Sequence, residues 1–241
     1  MKKDTLFATA ATPDRPFEFN QAVVDVFADM IDRSVPIYRQ TLEMVGWLGN
    51  RVVSDSTRVY DLGCSEGAAL LAARSHVNAS NVTLVGVDSS AAMLASARRH
   101  IDAAGAGPAV ELVDGDIADV DVSHASLVIL NFTLQFVTPP RRDALLRRIR
   151  DGLLPGGALL LSEKIHASAP QVDAVLIERH EDFKRRNAYS ELEIARKRAS
   201  LDNVLIPDTP AELAARLDRA GFGAHGVWLQ EHNFLSMLAF R

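Results

Sequence analysis

Three observations predict an α/β fold on a mostly parallel seven-stranded sheet. Short apolar runs alternate with helix-length stretches over 57–163, a small-residue turn follows the first of these runs, and two further strand-like runs close the chain. The 241 residues are 48% hydrophobic and 24% charged, which suits one such core and leaves a second full domain cramped. The expected organisation is one domain: a helical cover over 1–50, a βαβ region over 57–163, a helical insertion over 164–205, and a helix with a strand pair over 206–241.

The elements follow in order. Phe19, Val23, Val26, Phe27 and Met30 recur at helical spacing, and Ser34 offers an N-cap before Tyr38, Leu42 and Val45, so 19–48 reads as two helices covering the sheet or a pocket. Strands are predicted over 58–61, 83–88, 110–113, 127–131 and 158–162, with helices over 68–74, 91–104 and 141–152 between them. Pro155, Gly156 and Gly157 end the last of these helices in a tight turn. After Glu163 a charged helical stretch of roughly forty residues is too long for an ordinary connection and reads as an inserted lobe. Within it Ser190 and Glu193 fit a capping box, predicting a helix over 191–202. A helix with a proline-marked start and a glycine stop follows over 207–221, and 226–230 pairs with 234–240 as an antiparallel edge.

A formal net charge of -5 and a pI near 5.8 argue against a large basic surface for nucleic acid, so the expected ligand is small. The single cysteine, Cys64, excludes an internal disulfide and a cysteine-rich metal site, and no histidine spacing suggests a metal; His76, His124 and His180 are given no role. Residues 1–11 hold two lysines and no sustained apolar stretch, and no later run is long enough to span a bilayer. The expected location is the cytoplasm, with no membrane partner.

The strongest local signal is Val59-Tyr60-Asp61-Leu62-Gly63-Cys64-Ser65-Glu66-Gly67, a strand running into small residues and then a helix. Glycine there lets backbone pass close to a ligand. Ser65 stands where a dinucleotide loop would carry its second glycine, which disfavours NAD, whereas Asp61 and Gly63 match the Asp-x-Gly core of S-adenosylmethionine-dependent enzymes. Asp88, at the end of the second strand and followed by Ser89, can accept from both ribose hydroxyls or cap the next helix. Asp116 can accept from an adenine amino group while Ile117 lies against the ring, and Asn131 either contacts substrate or satisfies a strand end.

With these residues in view the chain resembles the carboxy-S-adenosylmethionine synthases, whose Rossmann-like fold is the class I methyltransferase fold. The resemblance is carried by Asp4-Thr5-Leu6-Phe7, by Asp29-Met30-Ile31-Asp32-Arg33-Ser34-Val35-Pro36, by 60–65 and 130–136, by Pro155-Gly156-Gly157 with Ser162-Glu163-Lys164, and by 180–198 with Tyr189-Ser190-Glu191-Leu192-Glu193-Ile194. It implies a homodimeric enzyme that makes carboxy-S-adenosylmethionine and phenylpyruvate from S-adenosylmethionine and prephenate, without a metal. The product would feed wobble-uridine modification of tRNA by a separate enzyme. Contacts to S-adenosylmethionine or its carboxylated product would fall to Tyr38, Gly63, Cys64, Ser65, Asp88, Ser89, Asp116, Ile117, Asn131 and Arg198. Ser89 stands where the resemblance calls for asparagine, and the C-terminus stops early.

Helical phase groups Arg198 with Ile194 and Leu201, which aims its guanidinium inward, where a carboxylate on the former methyl carbon would be a bidentate partner. An ion pair with Glu191, Glu193 or another element is the alternative. Tyr38 shares a face with Thr41, Leu42 and Val45, so packing with a bonded hydroxyl competes with ligand contact. The cluster Lys184, Arg185, Arg186, Arg196, Lys197 and Arg198 either attracts a dianion or forms a solvated face. No catalytic base stands out. The rival functions are an ordinary small-molecule methyltransferase, a non-catalytic adenosyl-binding protein and a tRNA-binding methyltransferase.

Overall fold

The computed structural model describes residues 2–8 and 16–241; part of the segment read as free of a targeting signal, 1–11, lies outside them. Seven strands form one sheet in the order β3-β2-β1-β4-β5-β7-β6. They are β1 (Arg58–Leu62), β2 (Thr83–Asp88), β3 (Ala109–Asp114), β4 (Ala125–Asn131), β5 (Leu153–Lys164), β6 (Ala224–Glu231) and β7 (Phe234–Phe240). β1 to β5 pair in parallel, β7 runs antiparallel to β5, and β6 closes that edge antiparallel to β7. The order reverses between β1 and β4, where a doubly wound sheet opens a crevice beyond its carboxyl ends.

Alternation along the central strands buries both faces, as a parallel sheet requires. Tyr60, Leu62, Val128, Leu130, Leu159 and Leu161 face one layer, packed by Leu145, Leu146 and Ile149 of α6 (Pro139–Gly152) and Leu213 and Leu217 of α9 (Pro210–Ala220). Val59, Leu84, Leu127, Ile129 and Leu160 face the other, against Val45 and Leu48 of α3 (Tyr38–Arg51), Leu70 and Ala73 of α4 (Ala68–Arg74), and Leu94 of α5 (Ala91–Ala103).

The cover differs from the expected helix pair. Among the described residues it contains three helices: α1 (Gln21–Val24), α2 (Phe27–Ser34) and α3. Asn20 caps α1 by accepting from the N–H groups of Ala22 and Val23. Ser34 does not cap α3; it ends α2, and its hydroxyl donates to the Met30 carbonyl. Pro36 lies in the break between α2 and α3, where its missing N–H suits a helix boundary. The turn expected at 155–157 is a bulge at the start of β5: Leu153 pairs with Ala125, the next pair is Ala158 with Leu127, and Gly156 takes φ 80°. The insertion forms α7 (Pro170–Arg186) and α8 (Glu191–Leu201), and the Ser190–Glu193 capping box is present. A second capping box, Thr209 with Glu212, starts α9 at Pro210 rather than at Pro207, and Gly221 at φ 89° stops it.

The blocks at 4–7, 29–36 and 189–194 meet in space. Tyr189 donates its hydroxyl to Asp4 Oδ2, Arg33 lies 3.9 Å over the Tyr189 ring, and Arg33 pairs with Asp29 at 3.0 Å. Arg33 also donates to the carbonyls of Asp4, Asn187 and Ala188, so the first residues, the cover and the inserted lobe are joined at one guanidinium.

Candidate functional site

The carboxyl ends of β1 to β4 open on a cavity of about 450 Å³, bounded by α2, α3, α7, α8 and residues 16–20. Gly63 and Cys64 both donate their N–H groups to the Val87 carbonyl, at 2.8 and 3.0 Å, which ties the first loop to β2. Gly63 has φ 83°, and a Cβ there would sit 2.4 Å from Thr133 Cγ2, so both conformation and space require glycine. Ser65, at φ 47°, donates its N–H to Asp88 Oδ2 at 2.9 Å.

Asp88 Oδ1 accepts from Ser90 N–H at 2.9 Å, while Ser90 itself caps α5 by accepting from Met93 N–H. Asp88 is therefore anchored by both oxygens, and a second lone pair on each is left for a diol. Burial raises its carboxyl, against the Ser90 and Ser65 N–H groups that hold it down.

Among the described residues the buried acceptors without protein partners include Asp61 Oδ2 and Asn131 Oδ1. Both residues line the cavity. Burial, then the neighbouring Asp88 charge, pushes Asp61 up to about 7. Orphaned acceptors in a cavity wall fit a ligand bearing amino or other donor groups. Cys64 is buried and its thiol is pushed far up by burial and by Asp61 and Asp88, so it offers backbone and packing, not a thiolate.

Asp116 is more engaged than its spacing suggests. Oδ1 accepts from Ala118 N–H at 2.9 Å and Oδ2 pairs with Arg141 at 2.8 Å. Ile117 is buried, and it and Ser89 line the cavity. The Tyr38 hydroxyl has no hydrogen bond among the described residues, and its ring lies 6.2 Å from that of Phe132. The packing alternative, which called for a bonded hydroxyl, is not what the structure has.

Nine of the ten sequence-selected residues line this one cavity; the tenth, Arg198, does not. The inward orientation expected of Arg198 is corrected. Its side chain is 66% exposed and pairs with Glu181 of α7 at 3.3 Å. The inward cation of α8 is its neighbour Lys197, because the buried face of the helix is formed by Glu193, Ile194 and Lys197.

The sequence reading names Lys184 and Lys197 within a basic cluster that either attracts a dianion or forms a solvated face, and gives His180 no role; both lysines line the cavity, as do Lys164 and His180. Sequence reasoning missed other residues that shape the site. Phe132, at φ 63°, turns the chain after β4 and places its ring between those of Tyr38 and Phe234. Glu163 holds the following segment by accepting from Leu134 and Gln135 N–H at 2.9 and 2.8 Å. The fully buried Arg142 pairs with Asp208 and donates to the carbonyls of Val137 and Ile206. Of Phe132, Glu163 and Arg142, only Glu163 carried a signal, a charged residue ending an apolar strand. Among the described residues no His, Cys, Asp and Glu cluster suited to a metal is present, and no helix is long and apolar enough to cross a membrane.

Residues 59–157 match a family described as a methyltransferase domain. Carboxy-S-adenosyl-L-methionine synthase of Citrobacter koseri is 47% identical over 239 residues, 99% of this chain and 97% of that protein. The synthase of the same name from Escherichia coli is 46% identical over the same shares. The chain belongs to the carboxy-S-adenosyl-L-methionine synthase family. Solved structures agree on the fold alone. An O-methyltransferase family protein from Burkholderia thailandensis superposes with a TM-score of 0.66 at 18% identity, covering 95% of this chain and 65% of its own. Magnesium protoporphyrin IX methyltransferase from Synechocystis gives 0.59 at 16%, covering 88% and 86%. This chain thus sets its cavity at the switch point of a methyltransferase-fold sheet, and the mostly parallel α/β class read from the sequence holds.

Proposed function

We propose that this chain is an enzyme that carboxylates the methyl carbon of S-adenosylmethionine, with prephenate as carboxyl donor. The bond between the ring carbon and the carboxylate of prephenate breaks, and its ring hydroxyl departs with a proton taken from the sulfonium methyl, forming water. The resulting ylide carbon captures the carbon dioxide. Carboxy-S-adenosylmethionine, phenylpyruvate and water leave, and atoms and charge balance. No side chain acts as base in this scheme; the protein positions the partners and stabilises charge. The observation that carries the reading is that nine residues selected for this cofactor, together with the orphaned acceptors of Asp61 and Asn131, line one cavity.

In this reading Gly63, Cys64, Ser65 and Asp61 receive the amino-acid end, Asp88 and Ser89 the ribose, Asp116 and Ile117 the adenine, and Tyr38 and Asn131 the reacting end. The enzyme works in the cytoplasm as a homodimer and hands its product to a separate tRNA-modifying enzyme. One observation favours an ordinary methyltransferase instead: Arg198, the side chain suited to a carboxylated product, faces away from the cavity of its own chain.

Mass spectrometry of small molecules released after incubation with S-adenosylmethionine and prephenate separates the two. A nucleoside heavier by one carboxyl in place of hydrogen, with phenylpyruvate formed in equal amount, is expected. Unchanged prephenate beside unmodified S-adenosylmethionine would sink the carboxylation reading.

A further inference from the structure

Three lysines from three elements converge on one wall of the cavity: Lys164 at the end of β5, Lys184 on α7 and Lys197 on α8. Lys184 is 9% exposed and Lys197 7%. A buried lysine ordinarily has a carboxylate partner, because an unpaired charge out of water is costly. Among the described residues none of the three forms an ion pair. The nearby carboxylates serve others: Asp29 pairs with Arg33, Asp4 accepts from Tyr189, and Glu181 pairs with Arg185 and Arg198. Lys197 donates to Ser34 Oγ at 3.1 Å, which occupies one of its protons.

We propose that Lys164, Lys184 and Lys197 form a receptor for a substrate bearing two carboxylates on an apolar, ring-sized body. This rests on the carboxylation reading for the identity of that substrate as prephenate, and on the cavity alone for its dianionic class. The polarity of the cavity supports it. The carboxylates of Asp61, Asp88 and Asp116 line its walls too, and the one lining arginine, Arg141, is already paired with Asp116. A cationic sulfonium ligand and a dianion are thus each offered groups of opposite charge. Phe132 and Phe234, whose rings lie 6.0 Å apart, supply apolar surface on the same cavity.

His180 completes the wall without adding charge. Its Nε2–H donates to the Ser34 carbonyl at 2.9 Å, and burial pushes the ring down to about 2, so it is neutral. Burial lowers all three ammonium groups, reinforced by Arg198 at Lys164, by Lys197 and Lys164 at Lys184, which falls to about 7, and by Arg33 and Lys164 at Lys197, which falls to about 8. Facing them are Glu181 and Arg198 around Lys184, Asp173, Glu181 and Arg198 around Lys164, and Asp4, Asp29 and Arg33 around Lys197. Two arriving carboxylates favour the charged forms, so binding near pH 8 takes up protons.

The test is calorimetric titration of prephenate, and of the monocarboxylate phenylpyruvate, into protein saturated with S-adenosylhomocysteine, which has no methyl to react. Wild type, Lys184→Met, Lys197→Met and Lys184→Arg are compared, with S-adenosylhomocysteine affinity measured for each. Prephenate is expected to bind wild type at least about tenfold more tightly than phenylpyruvate, with proton uptake at pH 8. Each methionine variant should weaken prephenate by about tenfold or more, change S-adenosylhomocysteine by less than twofold and abolish the preference for the dianion; Lys184→Arg should keep most of it. Methionine variants that bind prephenate like wild type, or lose S-adenosylhomocysteine equally, overturn the receptor. Binding through the lysines with no carboxylated product overturns the reaction and leaves the receptor standing. Turnover with unaltered binding in the variants does the reverse.

Discussion

At the scale of single residues, the site turns on acceptors buried without partners and cations buried without ion pairs, and the clearest is Asp61. Its folded-state carboxyl is raised from the ordinary carboxylate range to about 7 by burial and by the charge of Asp88. A raised folded value stabilises the fold below the unfolded value, near pH 4, and that stability is lost as pH rises through 7. Asp61→Asn should therefore match wild type near pH 4 and be more stable at pH 8 in the absence of ligand. A shift of this size corresponds to at most ~4 kcal/mol. Thermal melts at the two pH values check it, and a variant less stable than wild type at pH 8 refutes it. The same variant should lose S-adenosylmethionine affinity, because an amide offers a cationic ligand no charge. Arg198 and Lys197 carry a second lesson at this scale. Phase arithmetic from Ile194 and Leu201 put Arg198 inside, but the buried arc also includes Glu193 and Lys197, and its centre lies about 90° from Arg198 at 100° per residue. Leu201 is only partly buried, so the cation that faces inward on this helix is Lys197, next to the one that phase pointed to.

At the scale of elements, what was legible was whatever local chemistry determines. β2 and α4 lie where apolar runs and small residues put them, and the Ser190 capping box starts α8 as read. Eight of the nine cavity residues were legible because strand ends in a doubly wound sheet share one edge, so positions at the ends of β1, β2, β3 and β4 converge whatever their side chains; the ninth, Tyr38 at the start of α3, came from the resemblance. The split of the first expected helix into α1 and α2 was not legible, and the role of Ser34 at the expected break before α3 was misread because its hydroxyl bonds back to Met30 where capping geometry would have sent it forward. Nor was the support of the segment after β4, which depends on contacts far apart in sequence. Glu163 accepts from two successive N–H groups there, and Gln135 Oε1 accepts from Lys164 N–H in return. Glu163→Gln replaces one accepting oxygen by a donor facing a buried N–H, which should cost about 1–3 kcal/mol. The melting temperature should fall, and the Michaelis constant for S-adenosylmethionine should rise through displacement of Asn131 and Phe132. Unchanged values for both would show that the segment is held by its own turn.

At the scale of the whole molecule, three stretches far apart in the chain are held by one side chain. Arg33 stacks on Tyr189, pairs with Asp29 and donates to carbonyls of Asp4, Asn187 and Ala188, joining the first residues, the helical cover and the inserted lobe. The cover and the lobe also bound the cavity: Ser34 lies one residue beyond Arg33, and Lys184 and Lys197 flank Tyr189 on α7 and α8. The wall that carries the lysines is thus set by long-range bonds at a distance from the ligand itself. Arg33 and Asp29 are 11% and 14% exposed, so Arg33→Ala removes a nearly buried cation and leaves Asp29 without its ion-pair partner, a loss of about 3 kcal/mol. In a chain of this size that lowers the melting temperature by about 6–12 °C. Arg39→Ala is the control: Arg39 pairs with Asp32 on the surface at 77% and 39% exposure, and its loss should move the melting temperature by less than about 2 °C. Hydrogen exchange locates the effect. If Arg33 is the joint, exchange in Arg33→Ala rises first in α2, α7 and α8 while β1, β4 and β5 stay protected; uniform loosening of the sheet would mean that the cover and lobe are held by the core instead.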